Sequence, residues 1–202
     1  MQPVQSSELD AFFTYVIEVL ERLNIPYMVV GGFAAIFYGA PRFTIDVDIV
    51  VDMQLQHLRA FVDAFPIPAY YISEEGIRDS LRRRYPFNVI QPSTSAKVDL
   101  VPLPTDLFSR FAFQRRQRMA YDESGRSAMF ITAEDIVLAK LLAYRETGSD
   151  KHLQDVRGVL MMQWDDLNWK AIQRGARGAD VAELFDRLVE TIRKELGLES
   201  KD

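Results

Sequence analysis

Residues 29–51, Val29-Val30-Gly31-Gly32-Phe33-Ala34-Ala35-Ile36-Phe37-Tyr38-Gly39-Ala40-Pro41-Arg42-Phe43-Thr44-Ile45-Asp46-Val47-Asp48-Ile49-Val50-Val51, decide how this chain is read. The apolar run from Tyr27 to Val30 reads as a strand. Glycines at 31 and 32 let backbone N–H groups approach a ligand closely, and the short helix expected over Phe33–Tyr38 offers its N-terminus to negative charge. A second strand follows, with acids at 46 and 48. Strand side chains alternate between faces, so Asp46 and Asp48 point the same way with their Cα atoms about 6–7 Å apart, while Ile45, Val47 and Ile49 face a core. Neighbouring carboxylates repel, and a hard cation such as Mg²⁺ relieves the repulsion by taking oxygen ligands from both. Taken alone, each half has a plainer reading: a polar edge strand for the acids, an ordinary strand-to-helix turn for the glycines.

A third acid makes the metal reading more specific. In Lys97-Val98-Asp99-Leu100-Val101, Val98 and Leu100 share one face of an expected strand and Asp99 takes the other. If this strand lies beside the first, three carboxylates meet. Such a set suits one or two Mg²⁺ ions bridging phosphate oxygens, paired ions lying about 3.5–4 Å apart.

The order Gly31-Gly32, short helix, Gly39, Arg42, Thr44, Asp46-x-Asp48 and later Asp99 resembles the polymerase-β-like nucleotidyltransferase superfamily. More narrowly, it resembles the small prokaryotic members near the abortive-infection and toxin–antitoxin type. Phe87-Asn88-Val89-Ile90, Lys97 to Leu100, Glu134 to Leu141, Tyr144-Arg145, Gly148-Ser149 and Asp155-Val156 continue the likeness over residues 25–162. The resemblance implies an α+β fold, a mixed β-sheet flanked by helices, with a C-terminal helical annex. It implies Asp46, Asp48 and Asp99 as catalytic metal ligands, with Asp99 helping to activate the attacking hydroxyl. Gly31 and Gly32 would hold the triphosphate of a nucleoside triphosphate such as ATP. Lys140 falls where the family pattern also has Lys, near the phosphates. The acceptor would be a hydroxyl of a protein, an RNA end or a small molecule, and the setting a toxin–antitoxin or phage-defence system. In one respect the chain departs: Gly31-Gly32-Phe33 stands where much of the superfamily has Gly-Ser, whose hydroxyl touches phosphate. A catalytically inactive binding or regulatory module on the same fold is therefore the alternative.

Composition bounds these readings. The chain has 202 residues, 48% of them hydrophobic and 26% charged, with formal net charge −5. That is the profile of a globular chain with a substantial core. Its acidity excludes an extended nucleic-acid surface. The absence of cysteine excludes disulfides, thiolate nucleophiles and Cys-based zinc sites. A polar N-terminus without a signal core, and a longest apolar stretch (Tyr27–Ala40) interrupted by glycines, give the expectation of a cytoplasmic protein with no membrane partner.

Along the chain, Ser7 and Asp10 read as a helix-start box ahead of Leu9, Phe12, Phe13, Val16, Leu20 and Leu23 at helical spacing. A helix is expected over Leu55–Phe65, a short strand at Tyr70–Ile72 and a helix over Glu75–Arg84. Strands follow at Phe87–Ile90 and Ala96–Leu103 around the turn 92–95. The basic stretch 110–126 reads as a strand or loop leading to Met129–Ile131. Thr132-Ala133-Glu134-Asp135 caps a helix to about Thr147 that Gly148 ends, and helices follow to Met162, near Asp166–Arg174 and over Asp180–Leu196. A boundary near 130 is expected between a nucleotidyltransferase-like core, 1–130, and a helical region, 131–202.

Several side chains keep two readings. Arg42 suits a phosphate contact or a partner for Asp48 or Asp52, and Thr44 sits where phosphate or base could reach it. Lys140 also fits a solvated helix lysine. Arg145 and Asp155 fit an ion pair pinning the helical region. Arg82-Arg83-Arg84 and Arg115, Arg116 and Arg118 fit solvated faces or a short RNA contact. His57 and His152 have no metal or catalytic spacing.

Overall fold

The computed structural model describes residues 4–41, 44 and 46–197, with only the backbone of residues 4–10. The chain forms two compact units, Met1–Phe33 with Thr44–Ile131, and Ala34–Phe43 with Thr132–Asp202.

The first unit is built on a six-stranded mixed sheet. Its strands in chain order are β1 (Tyr27–Val30), β2 (Asp46–Val51), β3 (Phe87–Gln91), β4 (Ala96–Pro102), β5 (Gln117–Ala120) and β6 (Ser127–Phe130). In space they lie β3-β4-β2-β1-β6-β5. β2 is parallel to β4 and β1 to β6, and the other neighbours are antiparallel. A helix α1 (Val4–Arg22) packs against β4. Between β2 and β3 the chain makes a 3₁₀ turn (Leu55–His57), α3 (Leu58–Asp63) and α4 (Glu74–Arg83). The α+β class with a mixed sheet flanked by helices, expected from sequence, is the fold observed.

The core follows from the alternation of strand residues. Val47, Ile49 and Val51 on β2 and Val98 and Leu100 on β4 are all fully buried. They pack in a core that also buries Phe12, Phe13, Val16 and Leu20 of α1, together with Phe61, Phe65 and Phe130.

Local differences from the sequence reading have physical causes. α1 begins at Val4, ahead of the Ser7–Asp10 box, whose side chains lie outside the described ones. A helix α2 (Gly31–Phe37) starts at Gly31 itself, with no intervening turn. Tyr70–Ile72 is reduced to a single bridge, Tyr71 to Ile90. The stretch 110–126 is neither one strand nor a loop. It contains the end of α5 (Leu107–Arg115), capped by Asp106, whose carboxylate accepts from the Ser109 N–H at 2.8 Å, and then the hairpin strand β5.

The second unit holds α6 (Ala133–Thr147), α7 (Asp150–Met162), α8 (Trp169–Gly178) and α9 (Ala182–Glu195). Thr132 caps α6 by accepting from the Asp135 N–H at 3.1 Å, and Gly148 ends it in the left-handed region at φ +67°. α6 packs on α7 and α8, and α9 on both of these, around Ile136, Leu141, Val156, Leu160, Ile172 and Phe185. Close packing reaches the backbone at Gly158, where an added Cβ would lie 2.6 Å from both Ala40 Cα and Pro41 Cδ. Among the described residues, no helix is long and apolar enough to cross a membrane.

Candidate active site

The parallel pairing of β2 with β4 brings the sequence-predicted acids together. Asp48 stands directly across from Asp99, and Asp46 from Lys97. Adjacent strands are about 4.8 Å apart, so the Asp48 and Asp99 backbones are neighbours, and Asp46 lies two residues along the same face. Because Val47, Ile49, Val98 and Leu100 take the buried face, the acids are held on the opposite one. Asp46 is exposed there, and Asp48 and Asp99 are half-buried. The row extends to Val30 on β1, opposite Asp48, and to the exposed Asn88 on β3, opposite Asp99.

Gly31 closes one side of this row. Its φ is +68°, and an added Cβ would lie 2.0 Å from Asp48 Oδ2 and 2.8 Å from Asp48 Cβ. Two independent demands therefore select glycine: a left-handed backbone, and the approach of the main chain to a carboxylate. Gly32 follows, buried, in the first turn of α2. Phe33, which stands where the sequence resemblance places a Ser in much of the superfamily, packs its ring against Phe13 at 4.9 Å and Phe130 at 6.3 Å. Its side chain serves the core. Thr44 supports Asp46 through the backbone, since its Oγ1 donates to Asp46 O at 3.3 Å and accepts from Asp46 N–H at 3.4 Å.

One charged neighbour of the acids escaped the sequence reading. Lys97 shares the face of Asp99, and its Nζ lies 2.7 Å from Asp99 Oδ2. Its pKa is raised above the ordinary lysine value. The hydrogen bond to Asp99 is the main cause, opposed by desolvation and reinforced by the charges of Asp99, Asp46 and Asp48. All three carboxylates thus act on one ammonium. The signal in the sequence was the i, i+2 spacing to Asp99, but the pairing with Asp46 depends on a register that no local pattern states.

The donor set has the chemistry of a hard-cation site: three carboxylates, no sulfur and no imidazole. As the side chains stand, no group of three or more His, Asp or Glu among the described residues is gathered into a metal-holding arrangement. Asp99 is engaged with Lys97 instead.

The remaining candidates are placed as follows. Arg42 lies outside the described residues, as does Ile45. Lys140 is on α6 in the second unit, where its Nζ lies 2.7 Å from Asp155 Oδ2, with side-chain exposures of 10% and 0%. That pairing replaces the expected one between Arg145 and Asp155. Arg145 instead donates to the Ala179 carbonyl. Asp52 follows the last residue of β2 and accepts from Gln54 Nε2 at 2.9 Å. Of the arginine runs, Arg83 pairs with Asp79 at 3.1 Å and Arg84 donates to the Leu103 carbonyl at 2.7 Å. Arg116 lies over the Phe113 ring at 4.1 Å, and Arg118 pairs with Glu21 at 2.9 Å. These cations are committed to their own surroundings.

No protein-family model and no curated protein matches the sequence. Solved structures do match the fold. An antigenic nucleotidyltransferase-like protein from Paracoccidioides brasiliensis superposes with a TM-score of 0.56 at 20% identity, over 93% of each chain. The antibiotic-resistance factor ANT(2″)-Ia superposes with a TM-score of 0.51 at 13% identity, covering 96% of this chain and all of that one. JHP933 from Helicobacter pylori gives 0.52 at 12% identity, over 98% of this chain and 96% of that one. The fold is nucleotidyltransferase-like.

Proposed function

We propose that this chain is a divalent-metal-dependent nucleotidyltransferase that moves a nucleoside monophosphate from an NTP to an acceptor hydroxyl. The observation that carries the reading is the in-register pair Asp48 and Asp99, with Asp46 on the same face and the Gly31 backbone against Asp48. In the proposed reaction the acceptor oxygen attacks the α-phosphorus, the α–β bridging bond breaks and pyrophosphate leaves. Asp46, Asp48 and Asp99 are the residues that would hold Mg²⁺, one ion or two. A divalent cation bound there neutralises charge on phosphate oxygens and orients the phosphoryl group.

The chain's own residues contribute position and proton transfer. Asp99 accepts the proton of the attacking hydroxyl. Gly31 and Gly32 bring backbone N–H groups close to the triphosphate, free of side-chain obstruction. Thr44 fixes the backbone of Asp46 at the strand entrance, and Arg42 supplies a cation for phosphate. Lys140 enters through the resemblance, while its ion pair with Asp155 supports a structural part for it. The acceptor classes are a protein hydroxyl, an RNA end or a small molecule. The toxin–antitoxin or phage-defence setting rests on the sequence resemblance.

Two observations favour a second reading, a non-catalytic nucleotide-binding module: the core-facing Phe33 ring and the Lys97–Asp99 pair. Thermal unfolding with ATP, GTP, CTP or UTP, with and without Mg²⁺, tests the metal-dependent reading. A ligand at 100 times its Kd stabilises by about 2.7 kcal/mol. The expected result is stabilisation by at least one NTP that requires Mg²⁺ and disappears in Asp46→Asn and Asp48→Asn. Stabilisation indifferent to Mg²⁺ would favour the binding module, and none with any NTP would overturn both readings.

A further inference from the structure

We infer that Lys97 is a resident counter-cation of the acid cluster, so that divalent-cation binding depends on the arrival of nucleotide. The inference rests on the metal-site reading above and adds a residue and an order of binding to it. Asp48 and Asp99 face each other on neighbouring strands, an arrangement of like charges that is destabilising unless it is compensated. Lys97 contributes compensation on the Asp99 side, with its ammonium 2.7 Å from Asp99 Oδ2 and its backbone opposite Asp46. Among the described residues, Asp99 is the one carboxylate within ion-pair distance of Lys97.

A divalent cation entering the cluster alone meets this ammonium and must separate it from Asp99. An NTP changes the balance. Its phosphates bring negative charge to the same face, giving Lys97 a new anionic partner and releasing Asp99 to the metal. The side chain is equipped for the exchange, since it is 37% exposed on a flexible four-carbon stem. The ligand that fits this site is therefore a metal–nucleoside triphosphate complex rather than the free cation.

The test is Mn²⁺ binding to the nucleotide-free, full-length chain, followed by calorimetry. Wild type, Lys97→Met, Lys97→Arg and Lys97→Met with Asp99→Asn are compared. Removing one positive charge beside a divalent ion in a partly exposed site should tighten binding by about tenfold or more. Lys97→Met is expected to show that gain. Lys97→Arg should stay near wild type, and the double variant should lose the gain. Mn²⁺ binding to Lys97→Met no tighter than to wild type overturns the inference. If wild type then still shows Mg²⁺-dependent stabilisation by an NTP, the nucleotide reading survives and only the role of Lys97 fails. If that stabilisation is absent too, both fail together.

Discussion

Gly31→Ala is the substitution in which backbone conformation and site geometry are most tightly joined. A side chain at φ +68° costs roughly 1–2 kcal/mol for a left-handed L-residue. The new Cβ would also stand 2.0 Å from Asp48 Oδ2 and 2.7 Å from Asp48 Cγ, so the carboxylate must leave its place. Forced rearrangement of this kind costs about 1–3 kcal/mol. The total expected is about 2–5 kcal/mol, the sum of these two components. Urea unfolding followed by far-UV circular dichroism measures it, because both tryptophans, Trp164 and Trp169, belong to the second unit and report there. The diagnostic step is a double-mutant cycle with Asp48→Ala. That change removes the Oδ2 and Cγ contacts, leaves the 2.8 Å contact to Asp48 Cβ, and keeps the backbone cost. A coupling of at least about 1 kcal/mol is expected between the two positions. An identical cost of Gly31→Ala in both backgrounds, or a cost below about 0.5 kcal/mol, would refute the reasoning.

Other outcomes follow from the second unit. Lys140→Met removes the ammonium 2.7 Å from the fully buried Asp155 carboxylate and should cost up to about 3–5 kcal/mol in unfolding read by tryptophan fluorescence. Adding Asp155→Leu should restore most of it, and a single-variant cost near zero would show that the pair carries no such burden. At Gly158→Ala the helix-propensity gain of about 1 kcal/mol competes with backbone atoms 2.6 Å from the new Cβ. Those atoms cannot yield as a flexible side chain does, so the melting temperature should fall, whereas Gly178→Ala, with open space at its Cβ, should leave it level or raise it. Burial, aided by the charge of Glu134, pushes the Tyr38 hydroxyl up to about 12 from 10.0. The unfolded chain then loses this proton first, so stability falls as pH rises from 10 to 12, by about 2–3 kcal/mol in all, because each pKa unit is worth about 1.4 kcal/mol. Tyr38→Phe should flatten that part of the unfolding-versus-pH curve; an unchanged slope would count against it.

What could be read from the sequence was local. β1 is bounded by Pro26 and Gly31, and the Thr132 cap and Gly148 stop are complete within their own few residues. The D-x-D strand announced its buried and exposed faces through alternation. What could not be read was non-local or locally contradictory. α5 exposes Leu107 and Phe111, 73% and 51% accessible, while burying Ala112 and Phe113, so its apolar residues do not mark one face. Tyr70–Ile72 has β-forming residues but only one partner to pair with. The Lys140 partner of Asp155 could be identified only once α6 and α7 were packed, since Lys140 and Arg145 both lie on α6 and both carry a cation. Lys97 entered the site because β4 aligns in parallel with β2 at a particular register, and nothing within either strand states that alignment.

Nucleotide transfer at the acid face of β2 and β4 is the proposed activity. Incubation of the protein with a cell lysate and each NTP labelled at the α-phosphorus, in the presence of Mg²⁺, measures it directly. Label is expected on a discrete acceptor with at least one NTP, lost when Asp99→Asn replaces wild type or when the metal is chelated. No labelled acceptor with any of the four nucleotides, or labelling that persists in Asp99→Asn, would contradict it.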